Sequence, residues 1–458
     1  MPMLKKRAAW FLNSRFFPIG VAATVFVCHT LGADVAGAVI LLLLSYLGFL
    51  FAEDLRFLLP VSMAVICLVS VKNSPTFNQE ETLYDKPFMP ILLGVAVGLF
   101  LVGLVLFILR KRKEALPFKV SPQLWGLAAF CAALLLNGLF TGGALLQNLL
   151  FGLAVSVSFL GVYLLISFFL PRNRETREYF FFSMLAVALM ITAQLVVAYA
   201  TTVKFDGDFS PVKESIVLGW GAWTNIGAYL ALLLPAPFYF ATTDQKRPAL
   251  WFVLGVLVFG GILLSGSRGA LLFGALTFLL CLLLMFFKAE NKRQTRVCLL
   301  VVCLLGALAL LLLHEKLFAL LSVYLNQGFS DNGRFALWKT AWESFLQAPV
   351  FGAGFYDIPL KVDWVGDVVL FPHTCHNTVL QLLSATGIVG LGLYVYHRVQ
   401  TVRLAWQTRK SAASTYLLLS ILALVLCSFL DEHLFHIYPA LCYAYALYLA
   451  EPDTPLSR

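Results

Sequence analysis

His376, Asn377, Arg268 and Arg334 are the side chains in this sequence best suited to handling an anionic substrate and a hydroxyl group. His376-Asn377 leads into an apolar run that carries Gly387 and Gly390. A histidine titrates near neutral pH and can take a proton from an incoming hydroxyl, although a lone histidine often serves structure only. Asn377 suits a helix cap or a grip on a sugar hydroxyl. Arg268 lies in SGSRG, between Gly266 and Gly269 at the start of an apolar helix. Arginine forks onto phosphate oxygens, and a helix start favours anions. The alternative is an arginine that snorkels to lipid headgroups. Arg334 follows SDNG and opens a helical run. It reads either as a second phosphate clamp or as a solvated charge paired with Asp331. Lys213, with Lys204 and Lys339, is a weaker candidate for the same clamp.

Other polar groups read as bystanders. His373 is a possible partner of His376, while His314, His433 and His436 fall at span ends as interfacial residues. Cys375 beside His376 could form a thiol–imidazole pair, but reads as a loop neighbour. The other eight of the nine cysteines lie in apolar runs with no metal-ligand spacing, as small hydrophobes. Asp357, Asp363 and Asp367 are scattered as DIPLKVDWVGD, without the tight spacing of a metal loop. No metal site and no cofactor is expected.

The elements that position these groups are membrane helices. The chain is 458 residues, 60% hydrophobic and 12% charged, with a mean hydropathy of +0.86. A soluble domain carries about 25% charged residues. Repeated apolar runs predict an all-α, polytopic transmembrane bundle of about 12–14 spans, because lipid offers no partner to free backbone groups. Fourteen stretches qualify, the first over 16–32 and the last over 435–450. The basic segment before the first shows no small-residue cleavage pattern, so that span is expected to be retained.

Placing the N-terminus in the cytoplasm puts 24 of the 33 Lys and Arg on the inside, as the positive-inside rule asks. The net charge of +9 then reflects topology and lipid contact rather than nucleic acid. Residues 1–458 read as one transmembrane domain. One large extracytoplasmic loop, 314–376, falls between spans 11 and 12. Inside it, Phe335, Trp338, Trp342 and Phe345 recur at helical spacing, suiting a helix on the membrane surface or against the bundle. The span interiors hold almost no ionisable residues, His29 being an exception, which argues against a proton- or ion-coupled transporter.

Four motifs in order resemble the O-antigen ligase and O-antigen polymerase superfamily. They are WGAWTNIGAYLALLLP at 220–235, SGSRGALL at 265–272, GRFALWKTAWESFLQAPVFGAGF at 333–355, and His376-Asn377 with Gly387 and Gly390. The resemblance covers roughly residues 215–400. It implies a metal-independent, inverting GT-C-type glycosyltransferase of the bacterial cytoplasmic membrane, acting on its periplasmic or exterior face. The donor would be an undecaprenyl-diphosphate-linked glycan, and the acceptor a glycan, lipid or protein. By position, Arg268 and Arg334 would hold the diphosphate and His376 would act as general base. Asn225 falls in the matching place of the first motif, as a weaker sugar-binding or positioning residue. The alternative is a flippase or carrier for lipid-linked oligosaccharide.

Overall fold

The computed structural model describes residues 2–68, 88–139, 144–202, 218, 223–326, 334–356 and 374–453. These residues form helices and connecting turns, with no strand among them, and the chain is a polytopic helical membrane protein. Every one of the fourteen apolar stretches contains helix. Among the described residues, seven helices are long and apolar enough to cross a membrane, or eight if the bent pair Lys6–Asn13 and Phe16–Thr30 is one span. Five further apolar helices, including Pro122–Leu135, Ala412–Cys427 and Ile437–Ala450, have only 10–17 residues. At 1.5 Å per residue these fall short of a hydrocarbon core of about 30 Å. Hydropathy counts them as spans, because turns at their ends are apolar too.

The eleventh stretch also differs from expectation. Its helix, Lys292–Asn326, runs on thirteen residues past position 313. HEKLFALLSVYLN contains no glycine or proline to stop it. Part of the expected 314–376 loop is therefore helix, and Arg334–Gln347 is another helix within it.

The helices form two compact units, Met1–Pro117 with Phe168–Asn326, and Phe118–Ser167 with Gln327–Arg458. In the first, Gly227 of helix Trp223–Leu233 lies against Ser265, Ser267 and Ala270 at the start of helix Arg268–Lys288. A Cβ at position 227 would stand 2.5 Å from the Ala270 Cβ, so only glycine permits this approach. Two of the four motifs are thus packed on each other. Ser267 caps the second helix by accepting from the Ala270 amide at 3.3 Å.

In the second unit the long helix Thr378–Gln407 is broken at Gly387, where φ is 65° and ψ −166°. The break opens the intrahelical ladder, and an unpaired backbone group costs several kcal/mol in lipid. The turn after helix Arg334–Gln347 closes it. The Ala353 and Gly354 amides donate to the Ser384 and Ala385 carbonyls at 2.8 and 2.9 Å. The Ile388 and Val389 amides donate to the Pro349 and Val350 carbonyls at 2.9 and 3.2 Å. PVFGAGF and the Gly387 region are therefore two halves of one interlock. Buried Asn137 and Asn148 hold the far end of the turn, accepting from the Phe355 and Tyr356 amides at 3.3 and 2.9 Å.

Candidate functional site

His376 stands immediately before the helix that this interlock braces. Asn377 is the N-cap: its Oδ1 accepts from the Val379 and Leu380 amides, both at 3.0 Å. Its Nδ2 donates to the Phe429 carbonyl at 3.1 Å, and the Thr378 amide donates to the Ser428 carbonyl at 3.0 Å. The helix start is so tied to the end of helix Ala412–Cys427. Both ends of the Asn377 amide are committed to backbone, which makes it the anchor of this junction.

That tie brings the turn at 431–433 beside His376. The ring Nδ1 lies 2.8 Å from Asp431 Oδ1 and 3.7 Å from Glu432 Oε1. His433 Nε2 lies 3.9 Å from Asp431 Oδ2. The His376 side chain is 38% exposed, whereas those of Asp431, Glu432 and His433 are buried. His376 has φ of 54°, the one non-glycine residue with positive φ among the described residues. This left-handed conformation costs an L-residue about 1–2 kcal/mol and persists where the surroundings over-determine it. Here the cap on one side and the Asp431 hydrogen bond on the other fix it.

The electrostatics follow from that burial. Burial alone would lower the His376 pKa, but the Asp431 hydrogen bond and the Glu432 and Asp431 charges outweigh it, so the value is raised. Arg334 is near enough for its charge to oppose the rise. Burial would raise Asp431 too, yet His433 and His376 hold it low and ionised. Burial and the Asp431 charge push its neighbour Glu432 up. Two adjacent buried carboxyl groups so share one proton. Burial also pushes His433 down to about 4, leaving it a neutral neighbour. With Nδ1 donating to Asp431, a neutral His376 ring carries its lone pair on Nε2. Among the described residues Nε2 has no hydrogen-bond partner.

His376, Asp431 and Glu432 also place one ligand atom each within 4.8 Å of one another, a spacing a cation could bridge. The hydrogen bond between His376 and Asp431 accounts for the approach of two of the three. Cys375 is fully buried, and burial together with the Glu432 charge pushes its thiol up to about 12. A thiolate there is strongly disfavoured. Peptide mass spectrometry after maleimide treatment at neutral pH is expected to find Cys375 unmodified in the folded protein and alkylated after denaturation.

The other expected site residues fall as follows. Arg334 opens helix Arg334–Gln347 in the same unit as His376. Arg268 opens its own helix in the first unit, and Asn225 lies in the first turn of the helix packed on it. Lys339 is exposed and loosely paired with Glu343 at 3.9 Å. Lys213, Lys204, Asp331, His373, Asp357, Asp363 and Asp367 lie outside the described residues. His433, expected at the interface, is instead buried against Asp431. The sequence reading missed Asp431 and Glu432. The available signal was an adjacent acidic pair at the end of an apolar run, flanked by histidines, where carboxylates are costly without a use.

Comparison with known proteins agrees with the motifs. Residues 253–395 match the family described as O-antigen ligase. The match takes in SGSRG, the 333–355 motif and the His376-to-Gly390 element; Asn225 precedes it. A curated O-antigen ligase of Pseudomonas aeruginosa is 28% identical, across 58% of this chain and 65% of that protein. The alignment therefore spans just under two thirds of the relative's length.

Proposed function

We propose that this chain, which carries the O-antigen ligase match, is an integral membrane glycosyltransferase. It moves glycan from an undecaprenyl-diphosphate-linked donor to an acceptor hydroxyl at the outer face of the bacterial cytoplasmic membrane. The observation that carries this reading is the His376–Asp431 pair, an imidazole oriented by a buried carboxylate with Nε2 available for a proton. The asymmetry of basic loops supports the outward placement of the 431–438 turn and of His376.

In the proposed step the acceptor oxygen attacks the anomeric carbon of the donor sugar. The bond from that carbon to the diphosphate oxygen breaks on the opposite side, so configuration inverts. The acceptor proton passes to His376 Nε2, and Asp431 stabilises the imidazolium that forms. Arg334, in the same unit as His376, grips the diphosphate as charge develops on its leaving oxygen, and Arg268 is proposed as a phosphate-binding residue from its place in the SGSRG motif alone. Fixed guanidinium groups supply the charge that a mobile ion supplies elsewhere, so no metal is required. Asn377 positions His376 through the helix cap, and Asn225 and Lys213 are proposed as weaker contacts to sugar or phosphate.

The test is reconstitution of the purified protein in liposomes with a polyprenyl-diphosphate-linked glycan and candidate acceptors. A new glycosidic linkage, formed equally with a chelator present, is expected. Movement of labelled lipid across the bilayer with no linkage formed would instead identify a flippase or carrier.

A further inference from the structure

The helix Arg334–Gln347 presents two unlike faces. Ala341 and Ser344 are buried against its own unit. On the far side Phe335, Trp342 and Leu346 are 64%, 47% and 59% exposed, with Lys339 and Glu343 beside them. These three positions stand at i, i+7 and i+11, so they form one stripe. In water such a stripe of large apolar groups would be an exposed patch in need of a partner.

The interlock shows what adjoins the stripe. Val350, which follows this helix, is hydrogen-bonded through its carbonyl to the Val389 amide, and Pro349 to Ile388. Val350 and Ile388 are both exposed. From Ile388 the same exposed apolar face runs on through Val395, Val399 and Val402. Those positions lie on one side of Thr378–Gln407, a helix long and apolar enough to cross the membrane. The stripe therefore leads, through Val350, into an exposed apolar face of a helix able to cross a membrane, and the break at Gly387 lies where the two meet.

We propose that Arg334–Gln347 is an interfacial helix lying in the boundary between lipid headgroups and acyl chains. Phe335, Trp342 and Leu346 enter the acyl layer, and Lys339 reaches back to the headgroups. Arg334, at the first position of this helix, is then held at the depth of lipid phosphates. This placement rests on the membrane character of the chain and not on the glycosyltransferase reading. It stands or falls by lipid contact alone.

The experiment reads the depth of Trp342. The protein is reconstituted into liposomes whose lipids are brominated either near the headgroup or near the chain end. Because the chain has nine tryptophans, the Trp342 signal is taken as the difference between the unmodified protein and Trp342→Phe. The same difference for Trp406→Phe, exposed on the spanning helix, calibrates the method. The Trp342 component is expected to be quenched roughly twofold or more strongly by the shallow bromines than by the deep ones. Quenching by aqueous iodide with no effect of bromolipid would overturn the proposal, because the face then lies in water. Protection from both quenchers would overturn it as well, by showing that a second copy or another protein covers the face.

Discussion

His376→Ala is expected to lower the initial rate of glycan transfer by about 10²–10⁴-fold, the range that a positioned general base contributes. The variant should fold, since the His376 side chain is partly exposed and the Asn377 bonds that tie the junction are untouched. Measured in proteoliposomes, undiminished transfer by a well-folded variant would remove the base from the mechanism. Asp431→Asn is expected to give a smaller loss. Glu432 is pushed up in part by the Asp431 charge, so without it Glu432 ionises more readily and partly replaces the missing partner. The double variant His376→Ala, Asp431→Asn should be no slower than His376→Ala alone, because residues acting as one unit are not additive.

The pH dependence distinguishes this pair from an isolated histidine. The His376 value is raised above its ordinary 6.5, so the ring is neutral and basic only above the raised value. Transfer should therefore be lost as pH falls through that raised value, and Asp431→Asn should move the acid limb to lower pH. Stability runs the other way. The imidazolium–carboxylate pair contributes fully below 6.5 and its contribution fades as pH rises through the raised value. A chain whose activity improves over the same window in which it loses a little stability would match both signs.

Much of this was legible in the sequence, and the limits are physical. Apolar runs and basic loops revealed the helical membrane architecture, since lipid restricts the backbone to one solution. The order of four motifs pointed to the family that residues 253–395 match. Asp431 stayed hidden because it lies 55 positions from His376 and is delivered by a backbone tie, Thr378 to Ser428, that leaves no mark in side-chain pattern. The extent of the helix to Asn326 was obscured by His314, Glu315 and Lys316, which interrupt hydropathy without interrupting helical propensity. The glycines of PVFGAGF and of the long helix were visible as separate signals. Their partnership was not, because it consists of four hydrogen bonds between backbone groups.

That partnership gives the second large effect. Gly387→Ala is expected to destabilise the folded protein by about 2–4 kcal/mol. Two costs combine. With φ of 65° and ψ of −166°, the backbone is in a region that only glycine adopts readily. An added Cβ would also stand 2.4 Å from the Val350 carbonyl carbon, and that carbonyl cannot retreat without losing the Val389 hydrogen bond. Gly352→Ala should act similarly from the other side, where a Cβ would meet the Ala385 carbonyl carbon at 2.3 Å and φ is 71°. Gly392→Ala is the control. It lies in the same helix with nothing within 4 Å of a new Cβ, so it should be neutral or slightly stabilising by helix propensity. Thermal unfolding in detergent, followed by the fraction that stays monodisperse, would separate these outcomes. If Gly387→Ala and Gly392→Ala melted together, the break in the helix would be a feature the fold does not need. His376, eleven residues before it, would then owe its position to the Asn377 cap alone.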